Sequence, residues 1–460
     1  MQIKTLTYLF PSFLVKFFTK GHARSLKAKK NILVSFFLRG LMMLIGFIRV
    51  PLILYYLNPT KYGIWLIIGS IIGWFGFLDI GLGNGLRNKL AGALAKDDIK
   101  LAQTYVSTTY ALLIIIIGVL LLLFVLINPI LDWTKILNAS PELAADLSKL
   151  ALIVITFFSI QFVLDLVGIV LLADQMPAFK DALTASGSLV YLIVIFILIK
   201  TTSGSLLYIA IASGGSQAMV FALASYYLYK KKYRHIMPSF RHVNFRYSKD
   251  LVGLGAKFFV IQIAVVIMFS TDNIIITQLF SPAEVVPYSI AHRYFFLVIT
   301  IFSIAMAPFW TATTEAYNLN DFHWIKNIIR KIIYLWLALV AAVAVMLLIS
   351  SCFYKIWIGD MVDVPFKLSL GMALFAVVRT WNSPFSSFAN GVSKINLQFY
   401  ITILIGIVNI PLSIIFAKYF HMGVVGVILA TVVCLAVPAV LMPIQYLKII
   451  NNTATGIWNK

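Results

Sequence analysis

The sequence predicts an all-α integral membrane protein, with about twelve transmembrane helices in two pseudo-symmetric six-helix lobes around a central cavity. Hydrophobic residues make up 61% of the 460 residues and charged residues 12%, against about 45–50% and about 25% in soluble domains. The mean hydropathy of +0.96 is too high for a water-exposed surface. Apolar runs of about 20 residues, the length of a spanning helix, recur along the whole chain.

These apolar runs fall into two sets of six. In the first set, the predicted spans are 31–57, 62–84, 104–127, 149–172, 179–199 and 204–229. In the second set, they are 251–280, 288–312, 327–353, 365–387, 396–417 and 422–447. The strands of a membrane β-barrel would be about half as long and would alternate polar with apolar residues, so the length of the runs favours helices.

The longest basic connection divides the two sets and therefore sets the predicted domain boundaries. They are an interfacial segment at 1–30, an N-terminal lobe at 31–229, a linker at 230–250, a C-terminal lobe at 251–447 and a tail at 448–460. Apolar residues at helical spacing, with lysines among them, predict that the segment 1–30 lies on the inner leaflet.

The distribution of positive charge predicts the orientation of the spans. Of the 37 lysines and arginines, 25 lie in segments on the same side as the N-terminus and 7 on the opposite side. Cytoplasmic segments carry an excess of Lys and Arg, so both termini are expected in the cytoplasm. A net charge of +21 would suggest nucleic acid in a soluble protein. In this chain the positive charge is concentrated in the cytoplasmic segments, as membrane topology requires. No nucleic-acid partner is therefore expected.

The first hairpin of each half carries a similar motif. Leu57–Ile64 matches Phe280–Glu284, which is followed after a short insertion by Tyr288–Ile290. With six spans in each half, such repeats are parallel, and their symmetry axis runs along the membrane normal. A cavity between two lobes that rock against each other predicts a transporter.

Charged residues inside the spans indicate where substrate binds, since each is costly to insert and usually faces a cavity or a partner. The predicted spans contain Arg39, Arg49, Lys257, Arg293 and Arg379, together with Asp79, Asp165 and Asp272. Asp79 and Asp165 fall near the cytoplasmic ends of their spans. The excess of cations favours an anionic substrate, because an arginine binds phosphate oxygens bidentately.

Two of the acidic residues suggest a gating role. Aligning Pro59 with Pro282 places Arg49 at the position equivalent to Asp272. Two interpretations remain. Arg49 and Asp272 could form a direct ion pair between the lobes, or each could make contacts within its own lobe. Asp272 and Asp79 are candidates to pair with the arginines differently in the inward-open and outward-open states.

The sequence contains no pattern for an enzyme or a metal centre. The two cysteines lie in apolar surroundings, and the six histidines are dispersed without metal-ligand spacing. We therefore expect no catalytic residue, no metal and no cofactor. An enzyme acting on membrane-bound sugars, such as a polymerase or ligase, usually has a large periplasmic loop, and no connection of that size is predicted.

Two stretches of the first half resemble a known family. Tyr62–Trp65 and Phe77–Ala91 resemble the Wzx-type polysaccharide-transport flippases, which translocate O-antigen and capsule repeat units. These belong to the multidrug/oligosaccharidyl-lipid/polysaccharide (MOP) exporter superfamily, which includes the MATE fold. The resemblance implies a bacterial inner-membrane flippase for an undecaprenyl-diphosphate-linked oligosaccharide, used in surface polysaccharide biosynthesis and working by alternating access.

Two shorter matches are to the lipid II flippase, a more distant relative. Gly46–Arg49 and Tyr288–Arg293 are similar to its segments that carry cavity arginines. The resemblance implies that Arg49 and Arg293 contact the diphosphate, with Arg39, Lys257 and Arg379 adding positive potential. This chain has Val50 where the relative has an acidic residue, which puts a shared coupling mechanism in doubt.

The main alternative is an ion-coupled multidrug exporter of the same superfamily, which would use acidic residues to bind cationic drugs. The excess of intramembrane cations argues against it. The expected partners are the lipid-linked oligosaccharide, membrane lipids and other membrane proteins of polysaccharide assembly. The sequence leaves open whether a proton, sodium or the membrane potential drives transport.

Overall fold

A computed structural model describes residues 23–75, 82–248, 271–392 and 394–459. Over these ranges the secondary structure is helical and contains no strand. The predicted all-α membrane fold is confirmed. Most of the interfacial segment predicted at 1–30 lies outside the described residues.

Contacts divide the chain into two compact units. The N-terminal unit consists of Met1–Tyr56, Asp79–Leu131 and Ala145–Ala256, and the C-terminal unit of Leu57–Leu78, Asp132–Ala144 and Lys257–Lys460. The grouping places the second half of the first hairpin and a short loop with the C-terminal residues. These two units differ from the lobes predicted at 31–229 and 251–447. The predicted lobes stay predictions.

The first eight helices follow one another through the first half of the chain. They are α1 (Ala23–Phe75), α2 (Leu82–Ala95), α3 (Ile99–Ile127), α4 (Trp133–Leu137), α5 (Ala144–Leu164), α6 (Leu166–Ala173), α7 (Pro177–Thr201) and α8 (Leu206–Lys230). The core of the N-terminal unit forms where α2, α3, α6 and the end of α8 pack together, with Leu86, Val106 and Val167 fully buried.

Local chemistry explains where several of these helices begin and end. Asp98 caps α3 by accepting a hydrogen bond from the backbone N–H of Leu101 at 3.0 Å. Pro177 occupies the first turn of α7, where its missing N–H costs nothing. The carboxylate of Asp132 accepts from the Thr134 hydroxyl and the Lys135 backbone N–H, which lowers its pKa to about 2.

Six further helices follow in the C-terminal unit. They are α9 (Asp272–Leu279), α10 (Val285–Asn318), α11 (Phe322–Ile358), α12 (Phe366–Gly391), α13 (Asn396–Ile414) and α14 (Val424–Ile450). Helix α12 packs against both α10 and α14, and α13 packs against α14. A π-helical segment, Ile415–Tyr419, continues α13.

Nine helices of the described ranges are long and apolar enough to cross a membrane. The remaining predicted spans have separate explanations. The span 62–84 joins its predecessor in α1 across Asn58, whose φ of 69° and ψ of 165° are not helical. Only the end of the span 251–280 is described. The span 365–387 corresponds to α12, which is less apolar than the nine helices counted above.

The second span is described only in part. The helix that contains it is described up to Phe75, the next described helix begins at Leu82, and residues 76–81 lie outside the described residues. The span predicted at 149–172 falls within Pro141–Ala173, a single stretch that is long and apolar enough to cross a membrane. Within that stretch, Asp165 separates α5 from α6.

Candidate functional site

Arg39 lies on α1 and forms an ion pair within the N-terminal unit. Its Nε donates to Oδ2 of Asp181 on α7 at 3.2 Å, and its side chain is 61% exposed. An exposed pair of this kind contributes little to stability. The structure therefore places Arg39 at an accessible position, where its charge is already shared with a carboxylate.

Arg49 lies further along α1, half-buried, against an aromatic ring of the same unit. Its guanidinium carbon is 5.2 Å from the centroid of the Tyr191 ring on α7. Tyr191 is buried, so the ring offers its face to the cation in a desolvated setting. This contact holds the Arg49 guanidinium against α7 within the N-terminal unit.

A third charged contact lies at the junction between α5 and α6. Lys180 Nζ donates to Oδ2 of Asp165 at 2.9 Å, and both side chains are partly exposed. The Lys180 side chain also passes so close to Gly168 that a Cβ there would lie 2.9 Å from its Cε. Asp165, placed in the sequence analysis near a cytoplasmic helix end, thus pairs with a lysine of the following helix.

Two predicted arginines of the C-terminal unit share a neighbour, His292. Arg293 on α10 and Arg379 on α12 are both half-buried. Both guanidinium groups lie close enough to the imidazole of His292 to interact with it electrostatically. The His292 ring stacks on Phe296 and lies 5.9 Å from Phe375, which fixes it between the two helices.

Asp272, at the start of α9, is buried and hydrogen-bonded. It is 4% exposed, and the Tyr288 hydroxyl on α10 donates to its Oδ2 at 2.5 Å. Tyr288 is 5% exposed, so the contact is shielded from lipid and water. The hypothesis that Asp272 pairs with Arg49 stays a prediction, since each residue has a described partner inside its own unit.

Lys257 and Asp79 lie outside the described residues, so their predicted roles also stay predictions. The four described candidate arginines divide equally between the units, with Arg39 and Arg49 in one and Arg293 and Arg379 in the other. The arrangement offers guanidinium groups that can bind phosphate or carboxylate oxygens on two separate helical scaffolds.

Sequence reasoning missed the residues that position these charges. They are Asp181, Tyr191, Tyr288 and His292. Tyr288 and His292 belong to the stretch that resembles the lipid II flippase, so the signal was present but was assigned to Arg293 alone. Asp181 and Tyr191 are 142 residues away from their α1 partners, and a single sequence contains no signal for such pairs.

Comparison with known proteins identifies relatives for most of the chain. Residues 28–311 match the family described as polysaccharide biosynthesis protein. A Yersinia pseudotuberculosis protein assigned to O-antigen export is 22% identical over 370 residues, covering 76% of this chain and 80% of the relative. A Salmonella typhi protein assigned to O-antigen transport is 21% identical over 389 residues, covering 83% and 87%.

A solved structure shares the fold. A multidrug resistance transporter of the MATE family and MOP superfamily, in its inward-facing conformation, superposes with a TM-score of 0.77 at 17% sequence identity. The match covers 90% of this chain and 96% of the transporter. At this identity the likeness establishes the fold, and the predicted MATE-like architecture is confirmed.

Proposed function

This chain belongs to the polysaccharide biosynthesis protein family, and we propose that it is a flippase for a lipid-linked oligosaccharide. The family and the MOP fold make it a membrane transporter connected with polysaccharide rather than an enzyme. The proposed substrate is an undecaprenyl-diphosphate-linked repeat unit. It would cross from the inner to the outer leaflet of the bacterial inner membrane by alternating access.

The observation that carries this proposal is the pair Arg293 and Arg379. Two half-buried guanidinium groups beside one imidazole raise the local positive potential within a unit of membrane helices. Charge inside a spanning segment is costly by about 2.5–3.5 kcal/mol per residue on insertion scales. A diphosphate, with its several anionic oxygens, offsets that cost through charge-assisted hydrogen bonds, whereas a neutral substrate would not.

The substrate's three parts have different requirements. The diphosphate needs cationic donors, which Arg49, Arg293 and Arg379 supply. The sugars need polar surroundings and hydrogen bonds. The polyprenyl tail needs hydrocarbon, and the exposed leucines and isoleucines of the long helices face lipid, where the tail can remain.

The alternative, a multidrug exporter for cationic drugs, receives less support. Such a protein would need carboxylates available to the drug. Asp181 and Asp165 are already paired with Arg39 and Lys180, and Asp272 is buried and accepts from Tyr288. Each of these three acids therefore has a partner within its own unit, and the arginines fit an anionic substrate better.

Reconstitution of the purified protein into liposomes tests the proposal. A polyprenyl-diphosphate oligosaccharide is loaded, and its exposure to an added glycosidase is followed with time. We expect protein-dependent translocation that falls at least tenfold in Arg293→Ala and Arg379→Ala. Arg330→Ala, at an exposed position of α11, is the matched control and should flip normally. A folded wild-type protein that moves a cationic dye and leaves the lipid-linked sugar in place would contradict the proposal.

A further inference from the structure

The linker residues 231–248 form a positively charged surface on the N-terminal unit. They include five lysines and arginines, two histidines and no acidic residue. All five cations are exposed, and one of them, Lys232, pairs with Asp174. Among the described residues, no acid forms an ion pair with the arginines of this segment, which are Arg234, Arg241 and Arg246. Three guanidinium groups are therefore available to an anionic ligand.

The other side of the linker is fixed to the unit. Tyr233 is 3% exposed and Ile236 0%, and both belong to the core of the N-terminal unit. The Tyr233 hydroxyl donates to Oδ2 of Asp174 at 2.7 Å. Further along, the backbone N–H groups of Ser239 and Asn244 donate to hydroxyl groups of α3. Because these contacts hold one side of the linker, it presents a fixed set of side chains to its surroundings.

Apolar side chains share this outer surface with the arginines. Phe240 is 93% exposed, Phe245 51% and Met237 49%. A single exposed apolar residue is ordinary on a protein surface. Several of them, interleaved with arginines, are instead typical of a segment at a membrane surface, where rings enter the lipid and cations meet the headgroups. We refer to the six exposed residues together as the linker surface: Arg234, Met237, Phe240, Arg241, Phe245 and Arg246.

The linker starts at the end of a spanning helix. Helix α8 is long and apolar enough to cross a membrane and ends at Lys230. Near this end Tyr226 and Tyr227 are exposed. Lys230 Nζ lies 5.2 Å from the centroid of the Tyr226 ring, and Lys231 Nζ lies 4.8 Å from that of Tyr227. Tyrosines are enriched at the membrane–water interface, and lysines near helix ends extend towards it. The linker therefore begins at the level of the headgroups.

We propose that the linker surface binds anionic phospholipid headgroups in the leaflet at this end of α8. The arginines pair with phosphate oxygens, which can accept two parallel hydrogen bonds from one guanidinium group. Phe240 and Phe245 enter the boundary between headgroups and acyl chains, which removes their rings from water.

The position of the linker surface favours a lipid over other anionic partners. An acidic protein or a nucleic acid would also pair with the arginines. A surface that continues from a spanning helix, however, already lies beside the headgroups, and its exposed rings need an apolar environment as well as an anion. The ligand is a lipid of the surrounding membrane and not the transported molecule, so this inference goes beyond the proposed function.

The depth of residue 240 in the membrane tests the proposal directly. The full-length protein, carrying Cys352→Ala and Cys434→Ala, receives a nitroxide label at Phe240→Cys and is placed in phosphatidylcholine nanodiscs with or without phosphatidylglycerol. With phosphatidylglycerol, we expect the label to be more accessible to oxygen, which dissolves in lipid, than to a water-soluble nickel chelate. Lys96→Cys is the control, because Lys96 is exposed in the connection between α2 and α3. Its label should stay accessible to the chelate in both kinds of nanodisc.

The affinity for phosphatidylglycerol tests the arginines. The lipid is titrated into micelles of the full-length protein, and an apparent dissociation constant is taken from the rise in melting temperature. The combined variant Arg234→Gln, Arg241→Gln and Arg246→Gln should bind the lipid at least tenfold more weakly, because each cation near an anionic surface adds to the attraction. The matched control removes three exposed cations of α11, by Lys326→Gln, Arg330→Gln and Lys331→Gln. It should bind the lipid as the wild type does.

Three results would overturn the proposal. They are a label at residue 240 that stays in water in phosphatidylglycerol nanodiscs, an unchanged affinity after loss of the linker arginines, and an equal loss of affinity in both combined variants. The first result, together with binding of RNA or of an acidic protein to the linker, would identify that macromolecule as the occupant instead. The third would mean that total positive charge attracts the lipid. Neither experiment contains a lipid-linked sugar, so this proposal and the proposed function can fail independently.

Discussion

Gly63 and Pro282 lie in backbone contact. A Cβ atom added at Gly63 would lie 1.8 Å from the carbonyl oxygen of Pro282, far inside van der Waals distance. The two residues belong to the hairpin motifs that the sequence repeats in its two halves, and both lie in the C-terminal unit. The repeated hairpins therefore pack on each other. Glycine is required at position 63 because the Pro282 backbone leaves no room for a side chain, and not because of its own backbone conformation.

Gly63→Ala should disrupt this contact. The methyl group meets backbone atoms, which cannot rotate away as a side chain would, so one hairpin must shift. Overpacking of this kind costs about 1–3 kcal/mol. We expect a lower melting temperature in detergent and weaker transport, measured by thermal unfolding and by the liposome assay.

Gly69→Ala is the control for that change. It lies on the same helix and in the same unit, and a Cβ there meets nothing within 4 Å among the described atoms. Alanine should leave stability unchanged or raise it by about 1 kcal/mol, because glycine is the poorer helix former. Equal effects of the two substitutions would contradict the proposed contact.

The basic linker is held to the N-terminal unit by two buried hydroxyl groups of α3. Ser107 Oγ accepts the backbone N–H of Ser239 at 3.0 Å, and Thr108 Oγ1 accepts that of Asn244 at 3.0 Å. Gln103 Nε2 donates to the carbonyl of Met237 at 2.9 Å. The linker is thus docked through its backbone, while Arg241 and Arg246 remain exposed.

Thr108→Val should loosen the linker. The substitution keeps the volume but removes the hydroxyl, which leaves a backbone N–H without its acceptor at a cost of about 1–3 kcal/mol. We expect faster tryptic cleavage at Arg241 and Arg246, by several-fold, followed by mass spectrometry. Thr109→Val is the control, because among the described residues the Thr109 hydroxyl bonds within its own helix, to Tyr105 O at 2.8 Å. Cleavage at the wild-type rate in both variants would mean that the linker is held elsewhere.

The spans could be predicted from sequence because the bilayer imposes one length on every crossing helix. The pairing of Asp165 with Lys180 could not, since it depends on how α7 packs beside the end of α5. Nor could the docking of the linker, whose acceptors Ser107 and Thr108 lie more than 130 residues earlier in the chain. Composition shows whether a segment lies in lipid or in water. Contacts between distant residues depend instead on which segments pack together in the folded chain.

The candidate site also contains residues that could be predicted from the sequence and residues that could not. Arg293 and Arg379 stood out because charge is rare in apolar runs, and the structure gives them a shared neighbour in His292. Asp181 and Tyr191 did not stand out, because their contacts with Arg39 and Arg49 join residues that are far apart in the sequence.

The predicted topology can be tested by fusions. Positive charge places both termini in the cytoplasm, so green fluorescent protein attached after the last residue should fluoresce. Alkaline phosphatase inserted at 360–363, between α11 and α12, should be active because that loop is expected on the periplasmic side. An active phosphatase at the C-terminus, with an inactive one at 360–363, would invert the topology and contradict the inward-to-outward direction of transport.

The contact between Arg49 and Tyr191 predicts a graded series. Cation–π attraction is worth about 0.5–2 kcal/mol, so Tyr191→Phe, which keeps the ring, should flip lipid-linked sugar as the wild type does. Tyr191→Leu removes this contact of the guanidinium and should lower the rate of flipping between about 2-fold and 30-fold. Arg49→Lys keeps the positive charge but lacks the planar donors of the guanidinium. Its rate of flipping should lie between those of the wild type and Arg49→Ala. If Tyr191→Leu behaves as the wild type while Arg49→Ala is inactive, the ring does not position the arginine, and Arg49 acts through charge alone.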